Sequence, residues 1–150
     1  MKNKRKILIK KIIKRYCEEL KIPLINVEFN KSHRISFRYV YYKSDCTIFK
    51  KFIRIDEYYL FDMILHPRFN DSLWKFIPLK SVRDRLRFII GHELGHYLHS
   101  YLHPKHYVKN MLSYNILNKI VNDRDYSGYR NSKLEKIADK IGLYLVKKGF

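Results

Sequence analysis

The stretch Gly91-His92-Glu93-Leu94-Gly95-His96 constrains this chain more than any other. Two histidines at this spacing serve a common purpose only on a helix, where positions i and i+4 lie about 40° apart and one turn along the axis. On a helix, His92 and His96 aim two imidazoles at one point. Zinc accepts histidine nitrogen readily, and a catalytic zinc takes three protein ligands and a water. Glu93 sits too close to His92 to bind the same ion comfortably. It can reach the water there and take its proton, since zinc lowers the pKa of such a water toward about 7. Gly91 and Gly95 share the same spacing, and they would let the helix approach a neighbouring backbone closely. The competing reading is an exposed His/Glu face on an ordinary helix. That reading has to explain two glycines inside a helix, each costing about 1 kcal/mol relative to alanine. HExxH is short and recurs by accident, so its surroundings decide.

Those surroundings favour a helix. Ser81 to Asp84 reads as a capping box with Ser81 as N-cap. The apolar neighbours Phe88, Ile89, Ile90 and Leu94 follow, and the helix should stop before Pro104. Upstream, Ile9, Ile12, Ile13, Tyr16 and Leu20 recur at helical spacing over residues 5–20. Beyond Pro23 the period changes to two. Ile25, Val27 and Phe29 alternate with polar residues, then Ile35, Phe37, Tyr39 and Tyr41 do so, and a third run covers Thr47 to Asp56. Asn30-Lys31-Ser32 and Lys43-Ser44-Asp45 read as turns, so the expectation is a three-stranded antiparallel meander. Residues 56–65 suit a short helix. Residues 66–78 read as a loop, with Trp74 tucked into the core. Further helices are expected over 107–121 and from Lys133 to Lys148, stopped by Gly149. The fold class is α+β, with an N-terminal helix, a small sheet, the HExxH helix and C-terminal helices in a zincin-like arrangement.

Two residues compete for the third ligand position. His103, with Tyr107 after it, faintly resembles zinc proteases whose HExxH is followed by a histidine and an aromatic residue. The long metzincin pattern is excluded, because it needs glycine at position 99 and histidine at 102, where this chain has His99 and Leu102. His99 would have to bend back along its own helix to share the ion, and it reads as a supporting or surface residue. Glu135, on the last helix, is the better candidate: a carboxylate from a separate helix completes a His, His, Glu set. Asp139 lies one turn later and could accept the outward N–H of a ligating histidine, fixing its tautomer. Ala138 would let the two helices pack closely. The plainer reading is that Glu135 merely caps its helix, because Ser132-Lys133-Leu134-Glu135 also matches a capping box.

With both motifs in view, the chain resembles a known family. HELGHYLH at His92–His99, followed by Glu135-x-x-Ala138-Asp139, is similar to the gluzincins, zinc peptidases with a glutamate third ligand. The form of both motifs looks most like the ImmA/IrrE family, and the resemblance spans about residues 20–148. It implies one catalytic zinc held by His92, His96 and Glu135, Glu93 as general base, and proteolysis of regulatory proteins such as repressors. Members of that family typically carry asparagine where this chain has Asp139, whereas thermolysin-like peptidases carry aspartate there.

A peptidase also needs a donor for the tetrahedral oxyanion. Tyr126, Tyr129 and His106 are candidates between the two metal-bearing helices. The segment Ile53 to Asp56 is expected as an edge strand that pairs with an extended substrate.

Composition sets the limits. The 150 residues suit one domain, residues 1–150, and the balance of 46% apolar and 31% charged residues argues against disorder. The net charge of +18 points toward polyanions. It is concentrated in residues 1–15, at Lys2, Lys4, Arg5, Lys6, Lys10, Lys11, Lys14 and Arg15, and this side of the N-terminal helix reads either as a face for nucleic acid or an anionic membrane or, more plainly, as a solvated lysine surface. The rival assignments follow: a SprT-type DNA-associated protease using His103, or a nucleic-acid-binding domain with a non-catalytic zinc site. Cys17 and Cys46 make no disulfide framework, which fits a reducing cytoplasm. No stretch approaches the roughly 18 uninterrupted apolar residues of a transmembrane helix.

Overall fold

Ile9, Ile12, Ile13 and Tyr16 form the buried face of helix α1 (Lys4–Leu20) in the computed structural model, with Cys17 beside them. The structure describes residues 4–66, 71–120 and 132–149. The opposite face of α1 carries its cations into solvent: Lys4, Arg5, Lys10, Lys11, Lys14 and Arg15 are all exposed. After α1 the chain passes Pro23, whose carbonyl accepts the Tyr97 hydroxyl at 2.8 Å.

Three strands follow: β1 (Asn26–Phe29), β2 (Ile35–Tyr41) and β3 (Ile48–Ile55). Their order is β1-β3-β2. β2 and β3 form the expected antiparallel hairpin, with an irregularity at Val40/Tyr41. β1, however, runs parallel to β3. The sheet is therefore mixed, and the antiparallel meander expected from the sequence is corrected. Alternation assigns side chains to faces but does not say which strand is the neighbour. Residues 30–34 cross the end of β3, a span of about 10 Å or two strand spacings. The crossing is held by Asn30 N–H to the Ile55 carbonyl at 3.1 Å and by Asp56 N–H to the Arg34 carbonyl at 2.9 Å. The Asp56 carboxylate accepts the His33 N–H at 3.0 Å. One consequence matters for the site: β3, with Ile53 and Ile55 buried, is central, and β2 is an edge.

Asp56 also caps α2 (Glu57–Leu65) by accepting the Tyr59 N–H at 3.2 Å. Residues 71–76, expected as loop, form a short helix α3 (Asp71–Phe76). Trp74 anchors it: the indole is buried, donates to the Met63 carbonyl at 3.3 Å and packs edge-on against Phe88.

Helix α4 (Val82–Leu102) begins where Ser81 Oγ accepts the Asp84 N–H at 3.0 Å. It is the core of the molecule, packed by α1, α2, β2, α5 (Pro104–Ile120) and α6 (Lys133–Lys148). A helix covered on all sides shows no apolar stripe, which explains why its sequence lacks one. α5 starts at Pro104 rather than at 107, because proline at the first helical position loses only an N–H that had no partner anyway. Gly149, at φ 73°, ends α6 in the left-handed region. Among the described residues no helix is long and apolar enough to cross a membrane.

The α4–α6 seam is the tightest junction. A Cβ built on Gly95 would stand 2.9 Å from Ala138 Cα, and one on Gly91 would stand 3.1 Å from Gly142 Cα. The helices touch backbone to backbone, as the small residues at these positions suggest. Two effects oppose each other in Gly95→Ala. Helix propensity favours alanine by about 1 kcal/mol, while overpacking against backbone that cannot rotate away costs about 1–3 kcal/mol. The clash is expected to win, lowering stability by up to about 2 kcal/mol in denaturant titration. A more stable Gly95→Ala chain would contradict this close approach.

Candidate metal centre

The seam brings α6's first turn against the middle of α4. His92 and His96 are buried on α4, and Glu135 is buried on α6. Glu135 Oε2 lies 2.9 Å from His92 Nε2, and Oε1 lies 3.1 Å from His96 Nε2. One ligand atom from each of the three residues falls within 4.8 Å of the others, so the group could hold a metal ion. Ser132 Oγ meanwhile accepts the Glu135 N–H at 3.4 Å. The two readings of Glu135 are thus compatible: its backbone is capped and its carboxylate joins the histidines. A negative side chain in the first turn is also favoured by the helix dipole.

Asp139 Oδ1 lies 2.8 Å from His92 Nδ1. The ring donates Nδ1–H to this carboxylate, which leaves Nε2 facing the centre. His96 Nδ1 is buried without a partner among the described residues. The donor set fits a divalent ion: two oriented imidazole nitrogens and a carboxylate that spreads one oxygen toward each.

The electrostatics are those of a centre that attracts positive charge and binds protons. Burial by itself would lower the His92 pKa, but the hydrogen bonds to Asp139 and Glu135, with the Glu135 charge, outweigh it and raise it to about 10. Burial would raise the Glu135 carboxyl, yet the hydrogen bonds and charges of His92 and His96 hold it well below the usual carboxylate range. At neutral pH, below the raised His92 value, the ring is protonated and Glu135 is not. A metal must therefore displace a proton from His92. Calorimetric titration in buffers of different ionisation enthalpy is expected to read about one proton released, and apparent affinity should rise about tenfold per pH unit through the neutral range. Proton-independent binding would contradict this charge state.

Glu93 takes a different position. Its Oε2 accepts the Phe37 N–H at 2.6 Å, and its Oε1 lies 4.0 Å from His92 Nε2. Arg34 turns its carbonyl toward β3, so alternation turns Phe37's N–H outward, on the free edge of β2. Burial raises the Glu93 pKa, opposed by the charges of His92 and His96 and by the Phe37 N–H. Two cavities flank this point, of about 270 Å³ on the His92 side and about 350 Å³ on the His96 side. Arg34, Ile35, Ser36 and Glu93 line both. A larger cavity of about 970 Å³ lies between α1 and the start of α4 and contains none of these residues.

The other residues expected at the site stand as follows. Ile53 to Ile55 belong to the central strand, so the edge beside the site is β2. His106 lines neither flanking cavity and instead places Nδ1 2.9 Å from His99 Nε2. His103, the C-cap of α4, is not in the metal group. Of the two places expected for His99, supporting or surface, its burial removes the surface. Tyr126 and Tyr129 lie outside the described residues. Two features escape a reading of the sequence: the Phe37 N–H, which only the sheet order reveals, and Tyr107. The Tyr107 ring is buried, stands 5.9 Å from that of His96 and lines the cavity with Glu93 and Glu135. Its spacing from His103 is visible in the sequence, but not its turn toward His96.

Compared with known proteins, the chain matches no family model, no curated protein and no solved structure.

Proposed function

We propose that the chain is a zinc-dependent metalloendopeptidase of ImmA/IrrE-like, gluzincin type, with a zincin-like arrangement of its helices and sheet. The observation that carries this reading is the position of Glu93, between the His92, His96 and Glu135 group and the free edge of β2. His92, His96 and Glu135 would hold the ion. Zinc is favoured because two imidazoles and a carboxylate match its catalytic donor set, and when bound it supplies a Lewis acid that polarises a carbonyl.

The chain's own groups do the rest. Asp139 keeps the His92 ring in one tautomer and orientation. Glu93 takes the proton of the attacking water and passes it to the leaving amine. The outward edge of β2 offers the backbone of Ile35 and Tyr39 and the carbonyl of Phe37 to an extended peptide, the Phe37 N–H being taken by Glu93, so substrate would add to the sheet as a further strand. Tyr107, lining the cavity beside Glu93, is the described residue proposed to face the developing oxyanion.

The test is cleavage of denatured proteins and of a peptide library by zinc-loaded chain, read by mass spectrometry. New termini that vanish with chelator and return with zinc are expected; their absence across both substrate sets overturns the proposal. The exposed cations of α1 favour a second activity, nucleic-acid binding. DNA affinity that falls steeply with salt would support it, and no binding at low salt would remove it.

A further inference from the structure

We propose that His99 and His106, completed by His103, form a second site for a divalent transition-metal ion, separate from the His92, His96 and Glu135 group. His99 Nε2 and His106 Nδ1 already stand 2.9 Å apart. Only one of these nitrogens carries a proton in that contact, so the pair is an N–H···N hydrogen bond. Two nitrogens bound tetrahedrally at about 2.0–2.1 Å stand about 3.3 Å apart. Small ring rotations convert the one arrangement into the other, with the ion replacing the proton.

His103 supplies the third nitrogen. It follows His99 by one helical turn at the end of α4, in the same i, i+4 relation as His92 and His96. The two ring centroids lie 6.4 Å apart, and His103 is exposed, so its side chain is free to turn inward. His99 is buried, which presents its ring in one orientation, and it is kept neutral: burial first, then the nearby His106, lower its pKa to about 4.

The surroundings narrow the ion. The three histidines border a cavity of about 490 Å³ whose other walls include Gly95, Leu98, Ile137 and Ile141. Among the described residues no carboxylate lines it. An all-imidazole set suits zinc, nickel, cobalt or copper and not calcium or magnesium. Such an ion would clamp the end of α4 to the start of α5. Tyr107, next to His106, packs its ring against both His99 and His96, so the clamp adjoins the first centre without sharing a ligand with it.

The test is cobalt titration of the full chain, with visible absorption and total bound metal read together. His106 is exposed, so His106→Gln is expected to fold as the wild type does, checked by circular dichroism. It should bind one equivalent fewer than wild type, and Glu135→Gln should retain the equivalent that His106→Gln loses. Equal stoichiometry in His106→Gln and wild type overturns the site. A His103→Gln chain that binds this equivalent as tightly as wild type overturns the part given to His103.

Discussion

Glu135→Ala is expected to leave the chain unable to retain metal at its principal centre. Structural zinc sites bind with about 10–16 kcal/mol, so losing one ligand of three removes about 4 kcal/mol, or about a thousandfold in affinity. The metal-free fold should suffer as well. The substitution strips the protonated His92 of the carboxylate that stands 2.9 Å from it. Removing one partner of a buried ion pair costs about 3–5 kcal/mol. Glu135→Gln separates the two effects, because the amide keeps the shape and loses the charge. Metal content by mass spectrometry and unfolding in the presence of chelator are the measurements. Full metal retention in both variants would show that Glu135 is no ligand.

Glu93→Gln should have the opposite profile: bound metal unchanged, hydrolysis lost. A well-placed general base contributes about 10²–10⁴ in rate, and turnover should fall by that factor. The substitution is well suited to the structure. A glutamine side-chain oxygen can still accept the Phe37 N–H, so β2 stays anchored to α4. What disappears is the capacity to take a proton. Cleavage at the wild-type rate with metal still bound would refute the role given to Glu93.

Much of this geometry is legible in the amino-acid sequence, for local reasons. The apolar stripe of α1, the serine caps at Ser81 and Ser132 and the stop at Gly149 are set by near neighbours. The meeting of α4 with α6 is legible through Gly91, Gly95 and Ala138, since small residues at helical spacing have little use except close approach. The sheet order is not. Parallel pairing of β1 with β3 depends on how residues 30–34 travel, and a turn-like composition fits a tight hairpin and a crossing equally well. That single ambiguity misplaces the free edge, and with it the Phe37 N–H that Glu93 uses. Helix α3 is hidden for a different reason: it is short, flanked by prolines and held by the burial of Trp74 rather than by periodicity. The contact of His106 with His99 is not legible either, because proximity in sequence carries no direction for a ring.

The cap at Ser132 has a kinetic side. His92 and His96 sit deep within a long helix, but Glu135 belongs to an opening turn, and helix ends fray before their interiors do. The grip of such a trio on an ion would therefore be uneven in time. A guest ion would depart by way of the carboxylate, lingering on the imidazole pair, and the single hydroxyl of Ser132 would govern how long it stays.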